Sequence, residues 1–168
     1  MAQTKENPHW HIYVAFTTGL IAVLAAIASF QASGFSSQML EEKNNAILFQ
    51  SKANKQWNNY LANDIEKRVL LSNYPTPNKK IQNTLDEQTK EQIGFQKQAS
   101  DLENQATSAN NKFQTFFVKN SHMVTAGTFL EIAIALSSMS ILVKRKSAWY
   151  LSLLLAGVGV YFLALGFI

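Results

Sequence analysis

The chain has 168 residues, a formal net charge of +4 and a mean hydropathy of -0.06, and it contains no cysteine. The lack of cysteine excludes a disulfide framework and a thiolate metal site. The positive charge is divided among separate segments, so no broad basic face indicates nucleic-acid binding.

The first apolar run predicts a membrane-spanning helix over residues 12–32, after an N-terminal tail at 1–11. Residues 12–30 carry no charged side chain, and a helix needs about 20 apolar residues to cross a bilayer. The run is longer than the apolar core of a secretory signal peptide, and Ala32 and Gly34 make a poor cleavage site. We therefore expect a retained anchor.

The segment at 33–120 is polar, with 11 Lys or Arg and 9 Asp or Glu. Two prolines in the turn-forming cluster at 74–78 divide it into halves, because they disfavour helix in the residues before them. After this cluster, apolar or small residues alternate at spacings of four and three, which predicts a heptad seam. The seam comprises Ile81, Leu85, Gln88, Gln92, Phe95, Ala99, Leu102, Ala106, Ala109, Phe113 and Phe116. The predicted structure is a long antiparallel helical hairpin, similar to a coiled coil.

The first half of the segment has a less regular apolar stripe that also predicts helix. The stripe comprises Met39, Ala46, Ile47, Ala53, Trp57, Tyr60, Leu61 and Ile65. Folding the segment back at residue 76 places Trp57 beside Phe95, Ala53 beside Ala99 and Ile47 beside Ala106. Such a thin hairpin buries little apolar surface, so we expect lateral partners, either copies of this chain or another membrane protein. The expected packing and partner surface of the arm is Gln56, Trp57, Tyr60 and Phe95.

The heptad phase continues into a second predicted span at 121–143, so one unbroken helix is expected to leave the water and enter the bilayer. A third span is predicted at 149–168. The predicted fold class is therefore all-α, with three transmembrane helices and the hairpin between the first and second. Small residues at close spacing, such as Ala133 with Ser137 and Gly157 with Gly159, indicate close helix packing.

The connection at 144–148 between the last two spans is basic. Lys144, Arg145 and Lys146 place it in the cytoplasm by the positive-inside rule, which is most reliable for short loops. The N-terminus is then expected in the cytoplasm, and residues 33–120 on the outer side of a bacterial cytoplasmic membrane.

Glu131 is the one acidic residue within the predicted spans. A charge there costs about 2 to 3 kcal/mol or more, so the side chain is expected to be neutral or paired. Tyr161 should lie at a similar depth. Glu131 is either part of a proton or ion relay, or a packing residue that hydrogen-bonds Tyr161 or a neighbouring subunit. We favour the packing role, because a relay usually needs several polar groups.

No pattern in the sequence indicates catalysis, a metal or a cofactor. The topology separates His9 and His11 from His122 by the thickness of a membrane, which argues against a shared metal site. The sequence has no Ser/His/Asp or Cys/His set and no phosphate-binding loop. We therefore expect a protein that is not an enzyme.

Several motifs resemble a bacterial membrane-protein family known only as domain-of-unknown-function family 4337. They are Gln56-Trp57-x-x-Tyr60, the run from Glu131 to Ser138, Lys144-Arg145, and Trp149-Tyr150-Leu151-Ser152. The resemblance implies three spans and a helical arm but no activity. It also implies that Gln is common at the position of Glu131, which favours hydrogen bonding over an obligatory proton carrier.

The sequence thus predicts a structural or interaction protein of the membrane, either self-associating or an accessory subunit of a larger assembly. The alternative is a subunit of an oligomeric channel or transporter in which Glu131 lies in an ion or proton path.

Overall fold

The computed structural model describes residues 10–74, 76 and 78–168, and the described chain is all-α. It has three helices, α1 (Trp10–Asn73), α2 (Lys79–Val143) and α3 (Lys146–Phe167), and the two long ones pack together. The predicted all-α class is confirmed. Each helix contains a stretch long and apolar enough to cross a membrane, which is consistent with a membrane location.

The chain divides into two compact units. The span unit contains residues 10–39 and 114–168, and the arm unit contains residues 40–113. Helices α1 and α2 contribute to both units, and α2 is continuous from Lys79 to Val143, as the heptad phase predicted.

The core of the span unit is built from small and aliphatic residues at alternating spacings of four and three. Its buried members are Ile21, Ala25 and Ala28 of α1, Ala126, Leu130 and Ala133 of α2, and Ala156 of α3. This spacing keeps the residues on one face of each helix. Alanine at most of these positions lets the helix backbones approach closely.

Two glycines set the contact between α3 and α2. A Cβ at Gly159 would lie 2.8 Å from Leu130 Cγ, and a Cβ at Gly166 would lie 2.8 Å from Met123 Cε. Leu130 and Met123 are fully buried. These glycines therefore make room for the two large side chains, and the contact repeats every seven residues along both helices.

The arm unit also uses alanine at its helix interface. Ala46, Ala53, Ala99, Ala106 and Ala109 are buried. Every position of the heptad seam predicted on α2, from Ile81 to Phe116, is buried or half-buried. The 4-and-3 spacing thus identified the packed face of α2.

The stripe predicted on α1 is only partly buried. Ile47, Leu61 and Ile65 are exposed, whereas Ala46 and Ala53 are buried. Adjacent helical residues point about 100° apart, so Ile47 turns away from the interface that Ala46 fills. The predicted stripe combined residues from a buried face and an exposed face of α1, so the prediction was wrong for its exposed members.

In the side-chain pairs of the arm unit, a higher residue number on α1 goes with a lower residue number on α2. Glu42 pairs with Lys112, Asn63 with Glu91, and Lys67 with Thr89. These partners lie two to four positions further along α2 than a fold-back at residue 76 predicts. Helical side chains lean toward their own N-terminus. Because the pairs run in opposite order on the two helices, this tilt of both side chains moves each partner to a higher residue number on α2, as observed.

The break between the long helices falls where the turn was predicted, although Pro75 and Pro77 lie outside the described residues. The Asn78 side-chain oxygen accepts a hydrogen bond from the Ile81 backbone N–H at 3.1 Å. Asparagine is a preferred cap of a helix N-terminus, and this bond helps to set the start of α2. At the other end of α2, Lys144 has φ 54°, and the Arg145 N–H donates to the Ser140 carbonyl at 3.3 Å.

Candidate functional site

Two polar places lie within the apolar helices of the span unit. The first is a layer of hydroxyl groups at the helix interfaces, which we call the hydroxyl layer and define as Thr18, Ser137 and Ser152, one from each helix. The second is an open cleft beside Glu131, the Glu131 cleft. The sequence drew attention to Glu131 but not to the serines of the layer.

The hydroxyl layer begins at Thr18. Its Oγ1 donates to the Val14 carbonyl at 2.7 Å and lies 2.6 Å from Ser137 Oγ. A hydroxyl has a single proton. Because the Thr18 hydroxyl already donates to the Val14 carbonyl, Ser137 is the donor in the hydrogen bond between α2 and α1. Ser137 is fully buried.

Around Ser137, α2 and α3 add further polar groups. Ser140 is fully buried and donates to the Ser137 carbonyl at 2.7 Å. Ser152 is also fully buried, and its Oγ has no hydrogen-bond partner in the described chain.

Next to the layer, Trp149 joins α3 to α1. Its indole Nε1–H donates to Thr17 Oγ1 at 3.1 Å. The Thr17 hydroxyl in turn reaches the carbonyls of Tyr13 and Val14, at 2.9 and 3.0 Å. Side-chain hydrogen bonds therefore join α1 to α2 through Thr18 and Ser137, and α1 to α3 through Thr17 and Trp149. Interhelical hydrogen bonds of this kind contribute about 0.6 to 2 kcal/mol each in membranes.

The Glu131 cleft is an open depression of about 310 Å³ between α1 and α2. Glu131 itself is exposed. The other lining residues are Ser29, Ala32, Met123, Val124, Gly127 and Thr128. None of them is charged, so the cleft supplies no counter-ion for a carboxylate.

The expected hydrogen bond between Glu131 and Tyr161 is not formed in the described chain. Tyr161 is 62% exposed, and its ring contacts that of Phe162 edge-on, with centroids 5.7 Å apart. Both polar side chains lie on the outside of the span unit. Of the packing role, the contact from Glu131 to a neighbouring molecule stays a prediction, as does the ion or proton relay.

The residues predicted to form the partner surface of the arm lie near its helix interface. Gln56, Trp57, Tyr60 and Phe95 are all half-buried. The Trp57 indole N–H donates to Glu103 Oε1 at 2.8 Å, eight positions from the expected neighbour Phe95. Partial burial and the bond to Glu103 are consistent with packing, and the role of these side chains as a partner surface stays a prediction.

More exposed apolar surface lies elsewhere on α1 of the arm unit. Leu40, Ile47, Leu61, Ile65 and Val69 are each more than half exposed. They lie on the side of α1 that faces away from Ala46 and Ala53. Sequence periodicity could have identified this side, because Leu40, Ile47 and Leu61 are separated by multiples of seven.

Of the histidines, His9 lies outside the described residues. The His11 ring packs against Trp10 with centroids 4.5 Å apart, and the His122 ring stacks on Phe162 at 6.1 Å. No group of three or more potential metal ligands of the His, Cys, Asp and Glu types occurs among residues 10–74, 76 and 78–168. Lys144 and Arg145, which predicted the orientation together with Lys146, are exposed in the turn between α2 and α3. Lys146 is also exposed, but it is the first residue of α3 rather than part of the predicted turn at 144–148.

The model of a family described as a domain of unknown function, DUF4337, matches residues 10–168. No curated protein and no solved structure matches the chain.

Proposed function

The chain belongs to the DUF4337 family, and we propose that it is an integral membrane structural protein that associates with copies of itself through its spans. In this role it acts alone or as an accessory subunit of a larger membrane assembly. The bilayer and a second copy are its partners, and no catalysis, metal or cofactor is involved.

The observation that carries the proposal is that Glu131 is exposed on the span unit without a partner in the described chain. The residue is exposed on the span unit, and no residue of the described chain is its hydrogen-bond or ion-pair partner. An ionisable side chain facing lipid costs about 2 to 3 kcal/mol or more. A neighbouring copy that covers the Glu131 cleft removes this cost by supplying a hydrogen-bond partner.

The arm unit supports an interaction role independently. Its exposed aliphatic residues, Leu61, Ile65 and Val69 among them, lie in a segment that is otherwise rich in amide and charged side chains. Contiguous apolar surface in a water-exposed segment commonly marks an interaction site.

For the topology, we propose that residues 33–120 form an antiparallel helical hairpin on the outer side of a bacterial cytoplasmic membrane. The basic turn at 144–146 and the N-terminus are then cytoplasmic. The opposite numerical order of the partner residues in the arm unit supports the antiparallel arrangement.

The oligomeric mass of the full chain in a mild detergent tests the proposal, with native mass spectrometry as the measurement. We expect an oligomer for the wild type and for Glu131→Gln, which keeps a hydrogen-bonding side chain. Glu131→Leu is expected to shift the population to smaller species. Tyr161→Leu is the matched control, because it removes an exposed polar side chain from α3 and should leave the mass unchanged. A wild-type monomer without partners would count against self-association.

A channel or transporter subunit is the second candidate, and the polar lining of the Glu131 cleft favours it. Ser29 and Thr128 place hydroxyl groups in the same open cleft as the carboxyl group. In a ring of copies, such groups can line a path for cations. Reconstituted Glu131→Gln separates the candidates. Loss of ion flux with an unchanged oligomer indicates the channel. Unchanged flux with an unchanged oligomer removes Glu131 from an ion path and is the result that the structural role predicts.

A further inference from the structure

The seven-residue repeat between α2 and α3 extends into the hydroxyl layer. Gly166 faces Met123 and Gly159 faces Leu130. One step further along both helices, the same repeat places Ser152 opposite Ser137. Regular knobs-into-holes packing preserves such a register from one repeat to the next. All the large partners and both serines are fully buried.

The chemistry of the pairs changes at this step. The first two pairs match a glycine with a long side chain, and the close approach at each glycine shows that the space is filled. The third pair matches one short side chain with another. Ser152 Oγ nevertheless makes no hydrogen bond to any described residue, so it is not in direct hydrogen-bond contact with Ser137.

Counting protons shows what is missing between the two serines. The Thr18 hydroxyl donates its one hydrogen bond to the Val14 carbonyl, and the Ser137 hydroxyl donates its one hydrogen bond to Thr18 Oγ1. Ser137 Oγ therefore retains lone pairs but has no proton left to donate. Ser152 Oγ has a proton but no acceptor. A group between them must accept one hydrogen bond and donate another.

We propose that the span unit binds one water molecule between Ser152 Oγ and Ser137 Oγ. The water accepts a hydrogen bond from the Ser152 hydroxyl and donates one to Ser137 Oγ. This completes a chain of hydrogen bonds from α3 through α2 to the Val14 carbonyl of α1. A neutral ligand fits, because the layer contains hydroxyl groups and no charged side chain to offset the desolvation of an ion. Buried waters typically occupy such sites beside otherwise unpaired polar groups.

A double-mutant cycle on the full chain tests the bridge. The unfolding equilibrium is measured in mixed micelles for Ser137→Ala, Ser152→Ala and the double variant. With the water in place, Ser152→Ala raises the unfolding equilibrium constant by about three- to tenfold in the wild-type background. In the Ser137→Ala background, the same change has less than half of that effect on a logarithmic scale.

Ser138→Ala is the matched control. Ser138 is the adjacent serine of α2, is exposed, and bonds its own helix through the Ile134 carbonyl at 2.9 Å. It should change the equilibrium constant little and should show no coupling to Ser152→Ala. If the Ser152 hydroxyl turns to a carbonyl of its own helix, as membrane serines often do, Ser152→Ala has the same effect in both backgrounds. That result, or a more stable Ser152→Ala variant, overturns the proposal.

Infrared spectroscopy gives a readout that does not depend on stability. The bound water should produce an O–H stretching band in the folded protein that shifts on exchange into H₂¹⁸O. The band should be absent from Ser152→Ala and present in Ser138→Ala. Identical isotope-sensitive spectra for the wild type and Ser152→Ala would exclude the site.

Discussion

Gly159 lies against Leu130 so closely that the smallest side chain would collide with it. A Cβ at this position would be 2.8 Å from Leu130 Cγ and 3.2 Å from the Ala126 carbonyl oxygen. Leu130 is fully buried in the core of the span unit. The contact therefore fixes how closely α2 and α3 approach, and it leads to a direct test.

Gly159→Ala should destabilise the span unit by about 1 to 3 kcal/mol, the usual cost of overpacking a core. Gly157→Ala is the matched control, because a Cβ there meets no atom within 4 Å. It should be neutral or slightly stabilising, since alanine favours helix over glycine by up to about 1 kcal/mol. Thermal unfolding in detergent, followed by circular dichroism, measures both. Equal effects of the two substitutions would contradict the packing described for Gly159.

Trp57→Phe should weaken the arm unit by about 1 kcal/mol, because it removes the indole N–H that donates to Glu103. Glu103→Gln should cost less, since the amide oxygen still accepts this hydrogen bond. Hydrogen exchange of the backbone amides around residues 57 and 103, measured by mass spectrometry, reports the local loss. Unchanged exchange in Trp57→Phe would mean that the bond contributes nothing to the arm.

Asn63→Leu should stabilise the arm unit by about 1 kcal/mol. Asn63 is buried at the helix interface, and its Oδ1 has no hydrogen-bond partner in the described chain, although its Nδ2 donates to Glu91 at 3.0 Å. Polar residues in such a seam specify register and reduce stability, so an aliphatic replacement should raise the melting temperature. Asn58→Leu on the exposed side is the control and should leave it unchanged. A lower melting temperature for Asn63→Leu would show that the bond to Glu91 outweighs the buried, unpaired oxygen.

A cysteine at Asn78 should react with a membrane-impermeant thiol reagent added to intact cells. The native chain has no cysteine, so any labelling reports this position alone. The proposed topology places the connection between α1 and α2 outside the cytoplasm. Ser147→Cys, in the first turn of α3, should be labelled only after lysis. The reverse pattern would invert the topology.

The sequence anticipated the helices because their physics is local. Three runs of about 20 apolar residues satisfy the length of a bilayer crossing, and the prolines between 74 and 78 exclude a single helix across that segment. The alternating spacing on α2 identified its buried face from Ile81 to Phe116, since one helical period governs both the pattern and the packing.

The polar contacts were less accessible from sequence. In the sequence, Ser137 is one small residue among several and Ser152 is part of a family motif, because the spans contain many serines and threonines. Most of these hydroxyl groups bond carbonyls of their own helix, as Ser138 and Thr128 do. A helix by itself does not show which residue of another helix its hydroxyl group meets. The repeat of Ser152, Gly159 and Gly166 at intervals of seven was the available signal.

The sequence by itself determined that this protein is helical, that the two long helices are broken near residue 76, and that three of its segments can cross a membrane. These properties depend on composition and period along one chain. Only the tertiary structure decided that Glu131 and Tyr161 are both exposed on the span unit without a hydrogen bond between them, and that Ser137 bonds Thr18. It also decided that the Trp57 indole N–H bonds Glu103. Such contacts depend on the rotation and axial offset of one helix against another, which side-chain direction and close packing at alanine and glycine determine together.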